Sequence, residues 1–576
     1  MAKSVESLER ALAKPNAQPS IRDLPNGALA KLVLGQDPAG AERLLRMTFE
    51  QQLPDGTVPW QIGRPEIKDP NAIEFTMQGV GPILKGYGGK ISEEFKAWLK
   101  PHVVLAFTAM RNHKVPVSYT NIFLMKTVNM VLNGEAVGDA QAAAEGYQQL
   151  DAWIEYTRQN GIHEFSSPTY YCTDLNTLVT ALRYMDRAEG REKVRHILDY
   201  YWTDIGANFF EGRRRMAGPH SRDYDFLTGH GGIEFFLAAA GWRERPYTDK
   251  PDLEKIYLLL NDWPGGYQPS SAMRALAAIP QRTVVQVWGE KPDNVRTHFV
   301  TPEFSIGSTN SDYNPQDKLL SMEFASEADI PAVTVVPDPF DAPWGKARMN
   351  DRSGHSKPWH APLHVTSAQA EGAVLALLDI EPSSSRAQTT FSTSVILPAV
   401  ADVVRLDGRK VSLAQPGKFT VETDSVIGLR LGNAALAIKV IHSSGFVAGY
   451  KPRIALQSDH EGLKFGAARL TVYQYEGEVT TFKDKHCPLA LLIVAGKATS
   501  DAELEQLMRR VKDAKIEDST TGSTWRIAVQ AGEAKLEASR DMAKSQTISR
   551  RVNGTEPARA LFTINGKDYS QTLIGK

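Results

Sequence analysis

Cysteine is almost missing from this chain. Cys172 and Cys487 are the only two among 576 residues and neither has metal-ligand spacing. That excludes a disulfide framework and a cysteine zinc site, and leaves at most one long-range bridge. Long apolar runs are missing as well. The N-terminal MAKSVESLERALAKPNAQPS has no signal-like stretch, and no later run could span a bilayer. As written, the sequence predicts a cytoplasmic protein with no membrane partner; a leader removed beforehand would place it in the periplasm or outside the cell. Excess charge of one sign is lacking too, since 66 Lys and Arg stand against 67 Asp and Glu for a net −1. No global field draws nucleic acid, which is not expected as a partner, so a polyanion would have to be met by a local basic site. There is no repeat of fixed period, dinucleotide fingerprint or P-loop, which removes the usual footing for nucleotide chemistry.

What is present describes an ordinary globular protein, 42% hydrophobic and 23% charged. Its length predicts two or three domains. Up to about Trp263 the apolar spacing is helical. Ile122, Met125, Val128 and Leu132 mark one face of a helix starting near Ser118, and Ala143, Tyr147, Leu150 and Ile154 mark the next. Further helices are expected at Ala28–Leu34, Ala39–Gln52, Ser92–Met110, Thr169–Asp186, Arg191–Asn208 and Gly231–Ala240. Short connections between them predict paired helical hairpins.

The stretch DWPGGYQPSS, Asp262 to Ser271, reads as the start of a linker over 266–280. Beyond it the period changes to two, with strands expected at Thr283–Trp288, Gly372–Ile380, Ala435–His442, Arg469–Tyr475 and Leu491–Val494. Asp407-Gly408 and Asn565-Gly566 are hairpin turns, and one helix is expected near 501–511. The fold class is therefore multidomain, α then β: an N-terminal (α/α) toroid of helical hairpins over 1–265, then a large antiparallel β-sandwich region over 281–576.

Chemistry is densest in GPHSRDYDFLTGHGG, Gly218 to Gly232, where His220, Arg222, Tyr224 and His230 fall within eleven positions. A cation, an imidazole and a phenol so close together could neutralise a carboxylate, take a proton from carbon and return one to a leaving oxygen. Those are the tasks of β-elimination on a uronic-acid polysaccharide. The plain alternative is a polar loop whose side chains hold one another.

With EFSSPTYY at Glu164 to Tyr171 and MAGPHSRDYD at Met216 to Asp225, the chain resembles the α/α-toroid polysaccharide lyases that act on uronate polymers, such as glucuronan, alginate and heparinoid lyases. The resemblance implies an Asn, Gln or Arg that neutralises the carboxylate, a His or Tyr that removes the C5 proton, and a Tyr that protonates the glycosidic oxygen. It implies an anionic oligo- or polysaccharide as partner and no required cofactor or metal; a structural divalent cation is not indicated.

Carboxylate neutralisation comes first, because the proton beside a carboxylate is far too weakly acidic without it. Arg222 offers a planar fork for that task, and Asn121 in VSYTNIFLMK could share it through its amide. Tyr224 is the expected acid and base, with His220 assisting or acting as the base if the two protons lie on opposite faces of the sugar. A phenol with a pKa near 10 needs a cation beside it for this role. Expected substrate contacts are Tyr170, His230, Arg214 in the Arg213–Arg215 run, and Trp60 in PDGTVPWQIG. Each also has a structural reading as a packing, turn or solvated residue. The histidines of NDRSGHSKPWHAPLH, His355, His360 and His364, invite a metal, but Pro358 and Pro362 break the helix that would align them, so a loop over the cleft is expected instead. Two other classes stay open: a glycoside hydrolase using carboxylates from Glu164, Asp223 and Asp225, and a carbohydrate-binding protein without catalysis.

Overall fold

A computed structural model describes the chain except for residues 65–68, 226, 245–251, 263–265, 312–315, 327–331, 339–340, 342, 345–347, 351–355, 359–362, 381–386, 446, 448, 482–484 and 574–576. The expected order of a helical half and then a β half is observed. The helices are α1 (Ala2–Leu12), α2 (Asp23–Val33), α3 (Pro38–Phe49), α4 (Ala72–Tyr87), α5 (Glu93–Asn112), α6 (Thr120–Val137), α7 (Ala140–Asn160), α8 (Tyr170–Tyr184), α9 (Ala188–Asn208), α10 (Ile233–Ala239), α11 (Ile256–Asn261) and α12 (Ser271–Ala277).

Alternate helices close a ring. Helices α2, α4, α6, α8 and α11 pack in succession and α11 returns to α2, while α3, α5, α7 and α9 pack outside them. The two shells differ in sequence as their positions require. Outer helix α5 buries one stripe, Phe95, Leu99, Val103, Ala106, Phe107 and Met110, and is capped by Ser92, whose oxygen accepts from Phe95 N at 3.2 Å. Inner helix α6 is buried without a break from Thr120 to Gly134, because it has helices on every side. Each large apolar side chain enclosed this way contributes on the order of 2 kcal/mol.

Helix α4 belongs to the inner ring yet carries Gly79, Gly81, Pro82 and Gly86. Its glycines permit close approach: a Cβ on Gly79 would stand 3.1 Å from the Pro25 carbonyl carbon, and one on Gly81 would stand 2.9 Å from Leu132. The segment predicted as a linker contains α12, which is capped by Ser270 and packs on α9. Both cysteines are free, Cys172 in α8 and Cys487 buried in the β half.

Among the described residues the β half contains antiparallel sheets of eleven, seven and four strands. The first two face each other across a core that includes Phe299, Ile306, Met322, Val374, Leu436 and Ile493. The outer face of the seven-stranded sheet is covered by the helix Asp501–Lys512 and by the four-stranded sheet, through Leu504, Met508, Trp525 and Ile527. Both predicted tight turns form, with Asp407 and Gly408 at φ 50° and 81° and Asn565 and Gly566 at 49° and 77°. No described helix is long and apolar enough to cross a membrane.

Strand alternation also explains how the halves join. Phe299 and Ile306 point into the sandwich, so Arg296 and His298 on the other face of the eleven-stranded sheet point at the toroid. There Asp204 of α9 accepts from Arg296 Nη2 at 2.8 Å, Gln286 Nε2 at 2.6 Å and Asn208 Nδ2 at 2.7 Å, while Asn208 Oδ1 lies 2.9 Å from His298 Nδ1. The junction is polar, buried and extensively hydrogen-bonded.

Candidate active site

One cleft of about 670 Å³ opens on the toroid, and it lies at the N-terminal ends of the inner helices. Arg22, Asn71, Tyr119 and Thr169, the N-caps of α2, α4, α6 and α8, all line it. Four helix dipoles thus present their positive ends to the same space, which favours an anionic ligand.

The Gly218–Gly232 loop forms one wall. It is stitched to both halves of the protein: Ser221 N donates to Phe165 O at 2.9 Å, His220 and Lys318 exchange backbone hydrogen bonds at 3.0 and 2.8 Å, and Asp223 N donates to Gln316 O at 3.0 Å. Arg222 sits between these anchors at φ 44°, a conformation costly for a side-chain-bearing residue, and its own N–H donates to Asp317 Oδ1 at 2.8 Å. The β half therefore sets the backbone on which the toroid's cleft depends.

Arg222 is the centre of the site. Its Nη1 donates to Glu164 Oε1 and its Nη2 to Tyr224 Oη, both at 2.8 Å, and the guanidinium lies 4.0 Å from the Tyr170 ring centroid. Tyr170 and Tyr224 are joined hydroxyl to hydroxyl at 2.8 Å. Burial pushes the Tyr170 phenol well above its ordinary range despite the Arg222 charge, so Tyr170 keeps its proton, and either hydroxyl can donate in this pair. The Arg222 Nη2 donor and the Tyr170 hydroxyl thus converge on the Tyr224 oxygen. Burial likewise raises the Tyr119 phenol, against Arg222.

Behind Arg222, Glu164 is fully buried and accepts from Asn121 N at 2.8 Å and from Asn121 Nδ2 at 2.9 and 2.7 Å. Here the structure differs from the expected role of Asn121. Its amide hydrogens are directed at Glu164, so it holds the carboxylate that orients Arg222, while its Oδ1 and Arg222 Nε have no hydrogen-bond partner among the described residues.

Six of the eight expected residues line this one cleft: Trp60, Asn121, Tyr170, Arg222, Tyr224 and His230. His230 Nδ1 lies 2.9 Å from Glu234 Oε1, which fixes the ring. Trp60 packs edge-on against Phe75 at 5.5 Å, with Arg22 5.9 Å from its ring centroid. His220 and Arg214 do not line the cleft. His220 is fully buried with Nδ1 3.2 Å from Asp223 Oδ2, and burial lowers its pKa, so it is an internal strut of the loop. Arg214 is exposed and pairs with Glu244 at 3.2 Å, so the solvated reading of the arginine run applies to it. Of the candidate carboxylates, Asp225 lines the cleft, whereas Glu164 and Asp223 are buried. His355 and His360 lie outside the described residues; His364 is in the strand Leu363–Ala370 and lines a different cavity.

Several cleft residues were not singled out from sequence: Arg22, Asp69, Phe75, Tyr119, Asp252 and Glu254. Tyr119 stands two positions from Asn121 and was within reach of the same reading. The others are brought in by ring closure, which no local pattern reports.

Asp223 carries the loop's stability. Burial opposes its charge, yet Lys318, 3.1 Å away, and His220 hold its carboxyl below the usual carboxylate range. Its contribution is therefore present above the unfolded value near pH 4 and lost as the pH falls through the lower folded value. Lys318→Met would strand the buried carboxylate, with an expected loss of about 3–5 kcal/mol in denaturant unfolding. A loss below about 1 kcal/mol would show that this pair does not hold the loop.

Residues 68–231 match a family described as a domain of unknown function (DUF8769). Among curated protein sequences none matches. Among solved structures the chain is similar to a heparinase III at 11% identity and TM-score 0.36, over 90% of this chain and 83% of the other. It is also similar to endoglucanase CelQ from Clostridium thermocellum, solved with cellotetraose, at 10% identity and TM-score 0.24, over 85% and 86%.

Proposed function

We propose that the protein is a carbohydrate-active enzyme that cleaves a uronic-acid-containing glycan, of the glucuronan or alginate type, by β-elimination. The observation that carries this reading is the Arg222 guanidinium held against the Tyr224 oxygen at 2.8 Å in the wall of a cleft ringed by helix N-termini. Arg222 has five N–H donors and uses two of them on Glu164 and Tyr224, which leaves donors for a substrate carboxylate. Tyr224, in its anionic form, takes the C5 proton. The electron pair forms the C4–C5 double bond, the C4–O bond breaks, and the same phenol returns the proton to the leaving oxygen. Negative charge on the Tyr224 oxygen is met by Arg222 and by the Tyr170 hydroxyl. One residue serving as both base and acid requires the two reacting groups on the same face of the sugar. With His220 sealed beneath the loop, His230 is the imidazole placed to assist at the cleft.

A second reading is favoured by four carboxylates, Asp69, Asp225, Asp252 and Glu254, that also line the cleft. Two such carboxylates across a sugar are the equipment of a glycoside hydrolase. Product chemistry separates the two readings. Elimination leaves a double bond conjugated with the carboxylate, so incubation with glucuronan or alginate should raise ultraviolet absorbance in step with new reducing ends. Reducing ends without that absorbance would establish hydrolysis, and neither signal on any uronate polymer would overturn the enzyme reading.

A further inference from the structure

A second cavity, of about 600 Å³, lies in the β half where the three sheets meet. It shares no lining residue with the cleft. Its wall comes from the loop Lys291–Asp293, from Asn310 and Ser311, from His364, and from the turn Ala543–Thr547. That volume is within the range of small-molecule sites.

Asn310 is the built part of this wall. The residue is 4% exposed, its N–H donates to Val295 O at 3.1 Å, and its Oδ1 accepts from Ser367 N at 2.6 Å. The amide is thereby fixed in one orientation, and its Nδ2 donor has no partner among the described residues. Beneath the wall lies Arg540, opposite Thr547 in the strand ladder. It is 1% exposed, and none of its three guanidinium nitrogens has a hydrogen-bond partner among the described residues. Buried cations ordinarily have a carboxylate or hydrogen-bonding partner. Burial lowers the pKa of this guanidinium, with Asp379 and Asp293 acting against the shift.

The cavity's ammonium groups are those of Lys291 and Lys544, both exposed at its rim. One carboxylate, Asp293, lines it, and its Oδ2 already accepts from Thr547 N at 3.2 Å. No aromatic ring among the described lining residues offers a stacking face except the imidazole of His364. Recognition here is by charge and hydrogen bonding.

We propose that this cavity is a second ligand site, which binds an oxyanion group, carboxylate or sulfate, with Asn310 Nδ2 and the Lys291 and Lys544 ammonium groups as donors. The site does not depend on the β-elimination reading, because none of its residues belongs to the cleft. Its ligand is either a free inorganic oxyanion or the acidic group of a sugar.

Titration calorimetry on the full chain, with sodium sulfate, sodium glucuronate and glucose at matched ionic strength, tests the proposal. Sulfate or glucuronate is expected to bind and glucose is not. Asn310→Asp keeps the acceptor for Ser367 but turns a donor into a negative charge, and Lys544→Glu reverses a rim charge without touching the core. Each should weaken oxyanion binding about 10-fold or more, as expected for a lost charge-assisted contact. Arg222→Ala removes the cleft's own donor for a carboxylate, so in that background the binding that remains should still be weakened by Asn310→Asp and Lys544→Glu. Tighter binding of glucuronate identifies an acidic sugar as the ligand class, and tighter binding of sulfate identifies a free oxyanion. The proposal is overturned if neither oxyanion binds, if glucose binds equally well, or if Asn310→Asp and Lys544→Glu both leave affinity intact.

Discussion

Arg222→Lys is expected to lower kcat on a uronate polymer by about 10²–10³ while the protein stays folded. The substitution keeps the positive charge and removes the fork. In the native site Nη1 is on Glu164, Nη2 is on Tyr224, and the flat face lies over Tyr170, so one planar group orients a buried carboxylate, a phenol and a substrate at once. An ammonium is a point charge on a flexible stem and cannot span those partners. If the substituted ammonium went to Glu164, the buried carboxylate would stay paired and the Tyr224 oxygen would lose a donor. The fall should therefore appear in kcat more than in thermal stability. Activity within about three-fold of wild type would show that bulk charge, and not the fork, is what the site requires.

The same residue shows how far the sequence could be read. Its neighbours His220, Tyr224 and His230 are all in one loop, so the concentration of chemistry there was legible. The division of labour was not. His220 and Tyr224 are four positions apart, yet one is fully buried against Asp223 and the other lines the cleft. That separation depends on Lys318 and Gln316, nearly a hundred residues further on, which hold the loop from the β side. Asn121 was legible as a polar residue at a helix start, but the hydrogen bonds that turn its amide onto Glu164 come from 43 positions away.

The fold was legible where the apolar pattern runs unbroken, whether an element meets solvent on one face or on none, and hidden where glycine and proline interrupt it. Outer helices α5 and α7 show the expected period because solvent on one side keeps polar residues in register, while the strands Ala373–Ile380 and Ala434–Ser443, in the sheet whose two faces are both covered, read as near-continuous apolar runs. Helix α4 was invisible because the inner ring selects for close contact. Three glycines and a proline over Gly79 to Gly86 read as a break, while Gly79 and Gly81 are the points at which α4 meets α2 and α6. Helix α12 was hidden by its flanks, since Pro269 and Ser270 signal a turn and also begin a short capped helix.

Tyr224→Phe carries the sharpest mechanistic expectation: turnover should fall by about 10²–10⁴, with polymer affinity largely preserved. The ring would keep its place, because its contacts with Tyr170 and the Arg222 guanidinium, 5.8 Å and 5.8 Å from the respective centroids, do not need the hydroxyl. What is removed is the single oxygen on which Arg222 Nη2 and the Tyr170 hydroxyl converge. Tyr170→Phe is the discriminating partner. It deletes one of those donors and leaves the reacting phenol, so it should reduce turnover by roughly 10-fold, the worth of one hydrogen bond to a charged oxygen. A larger loss in Tyr170→Phe than in Tyr224→Phe would exchange the two assignments and make Tyr170 the acid and base. Equal and complete losses with polymer binding also abolished would mean that the pair shapes the cleft instead of reacting. In the hydrolase reading neither hydroxyl touches the reacting atoms; Tyr224→Phe would then retain most activity, while Asp225→Asn would abolish it. Measuring absorbance and reducing ends for these three variants on one polymer therefore assigns both the chemistry and the residue that performs it.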